Sequence, residues 1–316
     1  MIKNNEDMAW LIDGRKVGES VLHILYTVLR AIAHYISIGL RSIISVLRIL
    51  YHSKYEKVPQ VESNRRLIVC GNGPSLGKQL EENQEVFQAN DVLCVNMFST
   101  TEYFFKIKPR YYCMIDPGFF ADPATITSDE RKELDAVWAA LERADWKMEL
   151  ILPRYFKKSR HLQERVRNLS INVRYLNMET FSGWGFLHEF FLKKQLCAPM
   201  AQTVLIAAVY YGLCRAYKEI VLLGAESNWF KELEVDENNQ VYINDSHYYG
   251  ENNRRLLMAA GGRTLSIAEG LESDARAFRQ YMFLASYATK RKCAIHNATP
   301  NSMLDAFPRI EIEELN

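Results

Sequence analysis

A chain of 316 residues with 48% hydrophobic content is long enough to bury one large α/β core or two smaller ones. Its 39 Lys and Arg balance 38 Asp and Glu, so a net charge of +1 offers no global attraction to nucleic acid. The six cysteines (70, 94, 113, 197, 214 and 293) are scattered in apolar contexts without a CxxC pair, which excludes a disulfide framework or zinc ribbon and predicts packed, reduced thiols.

The chain opens on "MIKNNEDMAW", too polar and acidic to begin a secretory signal, so none is expected. From residue 23 to 52 polar residues fall at 23, 27, 30, 34, 37, 41, 45, 48 and 52, and nearly everything between is Leu, Ile, Val, Ala or Tyr. Steps of three and four match the helical period of about 3.6, so this stretch reads as one or two long helices with a narrow polar stripe and a broad apolar face. Arg30, Arg41 and Arg48 interrupt it, and the runs between them are expected to be too short to span a bilayer. A basic amphipathic helix of this kind suits a membrane surface, contacted through residues 17–52; packing on its own domain or in a homo-oligomer is the alternative. Residues 53–64 read as a linker, so residues 1–64 form an N-terminal segment and 65–316 the main domain.

Beyond Arg65 short apolar runs recur at "LIVC", "VLCVN", "YYCMI", "MELILP", "INVRYL", "EIVLLG" and "KCAIHN". Helical segments are predicted over 129–144, 179–196 and 202–217. Strands alternating with helices specify an α/β fold, a mostly parallel sheet covered on both faces. Ligands of such sheets bind outside the carboxyl ends of the strands.

Three of these ends carry unusual residues. "GNGPS", residues 71–75, lets backbone approach a ligand closely, and a helix starting near Leu76 is expected to aim free N–H groups at a phosphate. The spacing is neither a Walker loop nor a dinucleotide fingerprint. Asn96 and Asp116 each follow a strand directly, as rim residues of a nucleotide pocket or as turn formers. Further on, residues 227–251 are long for a structureless connection and are expected to be a lid. His247, inside "NDSHYYG", is a candidate general base. "SGWGFLHEFF", from residue 182, reads as a helix start with an aromatic face toward the core.

The order of these islands resembles the bacterial lipooligosaccharide sialyltransferases, a metal-independent inverting family with a variant GT-A, Rossmann-like fold. The likeness spans residues 67–307 in islands: "GNGPSL", "VLCVNMF", "YKEIVLLGAE", "NDSHYYG" and "TPNSMLDAF". It implies a CMP–sugar donor carrying a nonulosonic or ulosonic acid and no metal or other cofactor, in keeping with the lack of a DxD triplet. Gly71, Asn72, Gly73 and Ser75 would hold the nucleotide, Asn96 would lie near the phosphate, and Asn301 and Ser302 would line the donor pocket. Asp116 stands where the family has asparagine, so it is assigned to a ribose hydroxyl or the sugar. His247 would deprotonate the acceptor, a glycan or glycolipid, and the enzyme would sit peripherally on the inner face of the cytoplasmic membrane. Where the family has two tyrosines that assist the departing phosphate, this chain has Trp229, Phe230 and Tyr242, of which only Tyr242 offers a phenol, so neither tyrosine role is carried over. Two alternatives use the same residues differently. One resembles the archaeal hydroxymethylpterin diphosphokinases, with Glu226 and Asp116 on Mg²⁺; the other is a non-catalytic nucleotide-sugar-binding scaffold.

Overall fold

The computed structural model describes residues 6–61, 64–120, 128–244, 254–256, 258 and 263–315. All seven predicted apolar runs become the strands of one parallel sheet. They are β1 (Leu67–Cys70), β2 (Asp91–Val95), β3 (Tyr111–Cys113), β4 (Met148–Pro153), β5 (Ile171–Leu176), β6 (Glu219–Leu223) and β10 (Ala294–Asn297). Their order is β10-β6-β1-β2-β3-β4-β5. The chain winds outward from β1 to β5 and then returns to place β6 on the other side of β1, so the winding reverses between β1 and β6. Leu67 pairs with both Asp91 and Ile220, and Cys70 with both Cys94 and Leu223, which sets the three central strands level at their carboxyl ends.

Side chains alternate across the sheet, as the pleat requires. Leu67, Val69, Leu93 and Val95 face one core, while Ile68, Cys70, Val92 and Cys94 face the other. The second face is covered by α2 (Leu76–Glu82), α3 (Gln84–Ala89), α4 (Glu102–Ile107), α5 (Ser128–Glu142) and α6 (Arg160–Arg165). Over the first lie α7 (Gly185–Lys193), α8 (Val204–Cys214) and α9 (Ile267–Arg291). Helix α8 is apolar all round and buried from Leu205 to Cys214. The predicted helix over 179–196 is shorter at both ends, spanning Gly185–Lys193, because Ser182 and Trp184 instead hydrogen-bond to the N-terminal helix.

The 25-residue α9 was not anticipated from the sequence. It begins at a capping box, in which the Ser266 hydroxyl accepts from the Glu269 N–H and the Glu269 carboxylate accepts from the Ser266 N–H. Ser266→Ala should therefore cost about 1 kcal/mol, read as a lower denaturant midpoint at unchanged slope.

The N-terminal segment is one helix, α1 (Glu6–His52). Among the described residues it is the one helix long and apolar enough to cross a membrane by length and composition, over His23–His52 at a mean hydropathy of 1.4. The arginine spacing thus does not disqualify it, since a long guanidinium stem can carry its charge toward the headgroups. Its last turns dock on the domain through small residues. The Ser45 hydroxyl donates to the Ser182 carbonyl at 2.9 Å and accepts from the Ser182 N–H at 3.0 Å, and the Ser42 hydroxyl accepts from the Trp184 N–H at 2.9 Å. Gly183 at φ +144 permits this approach, for a Cβ there would fall 2.1 Å from the Ser42 Oγ. The expected linker is a strap across the domain rather than a free tether. Val58 is buried and donates its N–H to Gln195 at 2.7 Å, Glu56 pairs with Arg154 at 2.6 Å, and the Val61 N–H reaches the Arg215 carbonyl.

The expected lid contains regular structure. Strands β7 (Leu233–Val235), β8 (Val241–Asn244) and β9 (Arg254–Leu256) form a small antiparallel sheet. Its hairpin turns at Asn239, φ 57, next to Asn238, where the composition predicted a turn. Phe230, in the turn before β7, packs edge-on to Phe278, and the Leu233 side chain of β7 lies over Gly270, where a Cβ would be 3.9 Å away, so the sheet is seated on α9.

Candidate functional site

The winding reversal between β1 and β6 opens the crevice in which ligands of doubly wound sheets bind. The turn after β1 and the turn after β6 pack face to face there. Gly71 donates its N–H to the Leu223 carbonyl at 2.8 Å, and Gly73 to the Gly224 carbonyl at 2.9 Å. The glycines are compelled by this contact. A Cβ on Gly71 would lie 2.3 Å from the Gly224 carbonyl oxygen, and one on Gly73 would lie 1.5 Å from the Glu226 carboxylate.

The expectation that this turn bares its amides for a phosphate needs correcting. The Gly71 and Gly73 N–H groups are spent on the β6 turn, and the Ser75 N–H donates to Glu226 Oε1 at 2.7 Å. A carboxylate occupies the place an anion would take, and α2 behind it has only 7 residues. The turn is bare because two backbones meet in it, not because a phosphate must enter it.

Glu226 was counted from the sequence only as a magnesium ligand of the rival reading; the structure places it at the centre of the crevice. Its signal was an acid two residues past a strand-ending glycine. The loop after β10 clamps it: the Met303 N–H donates to the Glu226 carbonyl at 2.7 Å, and the Ala225 N–H to the Thr299 hydroxyl at 3.0 Å. Ser302 belongs to that clamp. Its hydroxyl donates to the Ala225 carbonyl at 2.6 Å and accepts from Asn297 Nδ2 and the Leu304 N–H, so its hydrogen bonds are made within the chain. Asn301, exposed and at φ 53, stands at the mouth beside it.

On the other flank the Asn72 amide donates to the Val95 carbonyl at 3.2 Å, tying the β1 turn to the end of β2. Asn96 follows at once, at φ 49. Gly71, Asn72, Gly73, Ser75, Asn96 and Glu226 are therefore gathered at one edge. Among the described residues, Ser75 Oγ, Asn96 Oδ1 and Glu226 Oε2 are buried there without a hydrogen-bond partner. Buried polar atoms are normally satisfied, and a group of three at a switch point is what a polar ligand leaves behind. Asp116 lies further along the edge, exposed, its Oδ1 accepting from the Gly118 N–H at 2.8 Å, which is a turn-forming bond. Tyr155 is its neighbour; burial and then the Asp116 charge raise that phenol above its usual range.

Beneath the crevice the chemistry is inert. Burial, then contact with Cys70, pushes the Cys94 thiol well above its ordinary range, so the floor is neutral sulfur rather than a nucleophile. His247 lies outside the described residues, between β8 and β9 in the chain, and the side chains of Arg254 and Arg255 do as well.

No protein-family model matches this chain, and no curated protein matches it in sequence. The family likeness thus rests on the short motifs alone. The motifs "GNGPSL", "VLCVNMF", "YKEIVLLGAE" and "TPNSMLDAF" all end at the same edge of the sheet, although they are far apart in sequence.

Proposed function

We propose that the chain is an inverting, metal-independent glycosyltransferase that moves a CMP-activated acidic sugar onto a membrane-anchored glycan. The observation that carries this reading is the convergence of unsatisfied Ser75 Oγ, Asn96 Oδ1 and Glu226 Oε2 at the switch point. A carboxylate only accepts hydrogen bonds, so its free oxygen suits a hydroxyl of the ligand, and a vicinal ribose diol is the natural fit. The same charge repels a phosphate, which would lie toward the amides of Asn72 and Asn96 instead. Asp116 beyond it would meet the sugar.

In the reaction His247 takes the proton of the acceptor hydroxyl as its oxygen bonds to the anomeric carbon. The bond from that carbon to the phosphate oxygen breaks, and CMP departs with the electron pair and inverted configuration at carbon. Hydrogen-bond donors at the leaving phosphate stabilise its charge. Helix α1 would hold the enzyme at the inner face of the cytoplasmic membrane, where a glycolipid acceptor is presented.

Against the diphosphokinase reading stands the sheet order. Glu226 follows β6 and Asp116 follows β3, with β1 and β2 between them. Three strand spacings are about 14 Å, too far for both acids to share one Mg²⁺.

Calorimetry with CMP, CDP, UMP, GMP and ATP, each with EDTA and with Mg²⁺, tests the reading. CMP is expected to bind equally well in both, and 2′,3′-dideoxy-CMP roughly tenfold or more weakly, the loss of a hydrogen bond to a charged group. Magnesium-dependent ATP binding without a response to CMP would overturn it.

A further inference from the structure

We propose that α1 and α7 together form one surface that rests flat on a bilayer containing anionic lipid, with Phe186 and Phe190 inserted beside the long helix. This builds on the membrane reading of α1 and adds a second element and an orientation. At about 100° per residue, Leu29, Ile32, Ile36, Ile43, Leu47 and Leu50 fall within one narrow arc of α1. All six are exposed. The docking residues Ser42, Ser45 and Ile49 lie on a different side, about 130° around the helix.

The apolar arc therefore continues along the very turns that are docked on the domain. A helix standing upright in a bilayer would leave Ile43, Leu47 and Leu50 in water beside the protein. Lying flat, it buries the whole arc with the domain above it. By the same rotation Arg30 and Arg41 lie about 130–150° from the arc, in the opposite sense from the docking residues, and their long stems can reach back to headgroup level. Arg48 is instead paired with Glu179 at 2.6 Å, and no acid occurs between residues 23 and 52 to oppose anionic lipid.

Helix α7 extends the same surface. The Trp184 ring contacts α1 at Gly39, where a Cβ would lie 3.8 Å from it, and stacks on Phe186. Phe186 and Phe190, one turn apart, are 68% and 52% exposed, whereas the core of α7 is made by Phe191 and Leu192. The expected core-facing aromatic stripe is thus divided, its larger part turned outward. The Lys194 ammonium sits over the Phe190 ring, and Lys193 beside it is exposed. Aromatic rings edged by lysines are the side chains that settle at a membrane interface. Helix α7 is held rigid from behind by the stacking of His188 on Phe283 and by the Glu189–Lys290 pair at 2.6 Å.

The test is flotation of the full chain with phosphatidylcholine vesicles, with and without phosphatidylglycerol. Wild type is expected to float with the mixed vesicles in preference to the neutral ones. The pair Phe186→Ser with Phe190→Ser should weaken that binding roughly tenfold or more while leaving the melting temperature and CMP affinity unchanged. A double variant that floats like wild type would overturn the part assigned to α7 and leave α1 standing. Absence of wild-type flotation would overturn both; if sedimentation then shows a dimer, the apolar arc is covered by a second copy. Either result leaves CMP binding as a separate test of the transferase reading.

Discussion

His247→Ala is expected to lower transfer turnover by roughly 10²–10⁴-fold at saturating donor, the usual contribution of one general base. Affinity for CMP should stay near wild type, because in the proposed reading the nucleotide would be held by residues after β1, β2 and β6 and not by the acceptor's base. The split between turnover and donor binding is the informative readout. A pH–rate profile adds a second. Wild type should lose activity on the acid side as the imidazole takes up a proton, since a protonated imidazole cannot accept another, and the variant should lack that limb. Turnover equal to wild type in the alanine variant would remove the catalytic role of this residue and favour the non-catalytic scaffold.

Gly71→Ala is expected to destabilise the chain by about 1–3 kcal/mol, the range for overpacking a rigid interior. The added methyl would sit 2.3 Å from the Gly224 carbonyl oxygen and 3.0 Å from its carbon. Both are backbone atoms, and they are held in place by the bonds Gly71 N–H to Leu223 and Gly73 N–H to Gly224. No side chain can swing away to make room, so the two turns must part. Their separation would also pull Ser75 from Glu226, and CMP binding should weaken together with stability. Urea unfolding and calorimetry on the same preparation measure both. An unchanged unfolding midpoint would show that the turns slide past one another freely, and the crevice would then not be the rigid site described.

Much of the fold was legible from local pattern. The inner strands were plain because a strand buried on both faces is nearly all apolar, as in "LIVC" and "IVLL", while the edge strands β5 and β10 keep polar residues and were marked by their apolar share alone. The long helix at the start was equally plain, since its period needs no partner to be read. Helix α9 escaped because its first turns, "IAEGLESDAR", are largely polar, and only its buried line, through Ala277, Tyr281, Leu284 and Ala288, marks it as core. Its capping box was present in the sequence as a serine followed three residues later by a glutamate, and would have found it.

The candidate site divides in the same way. Its glycines, Asn72, Asn96 and Ser75 could be picked out as a polar break after an apolar run. Glu226 could not be given its place, because nothing within "LLGAES" says which strand will lie beside β1. By itself the sequence determined the strands, the turns that end them and the amphipathic character of α1, because each depends on neighbours within a few residues. Only the tertiary structure decided that β6 lies against β1, that Glu226 caps the Ser75 amide where a phosphate was expected, and that Phe186 and Phe190 face outward. Those depend on contacts between segments far apart in the chain, such as the 151 residues that separate Ser75 from Glu226, and no local pattern encodes which distant partner will arrive.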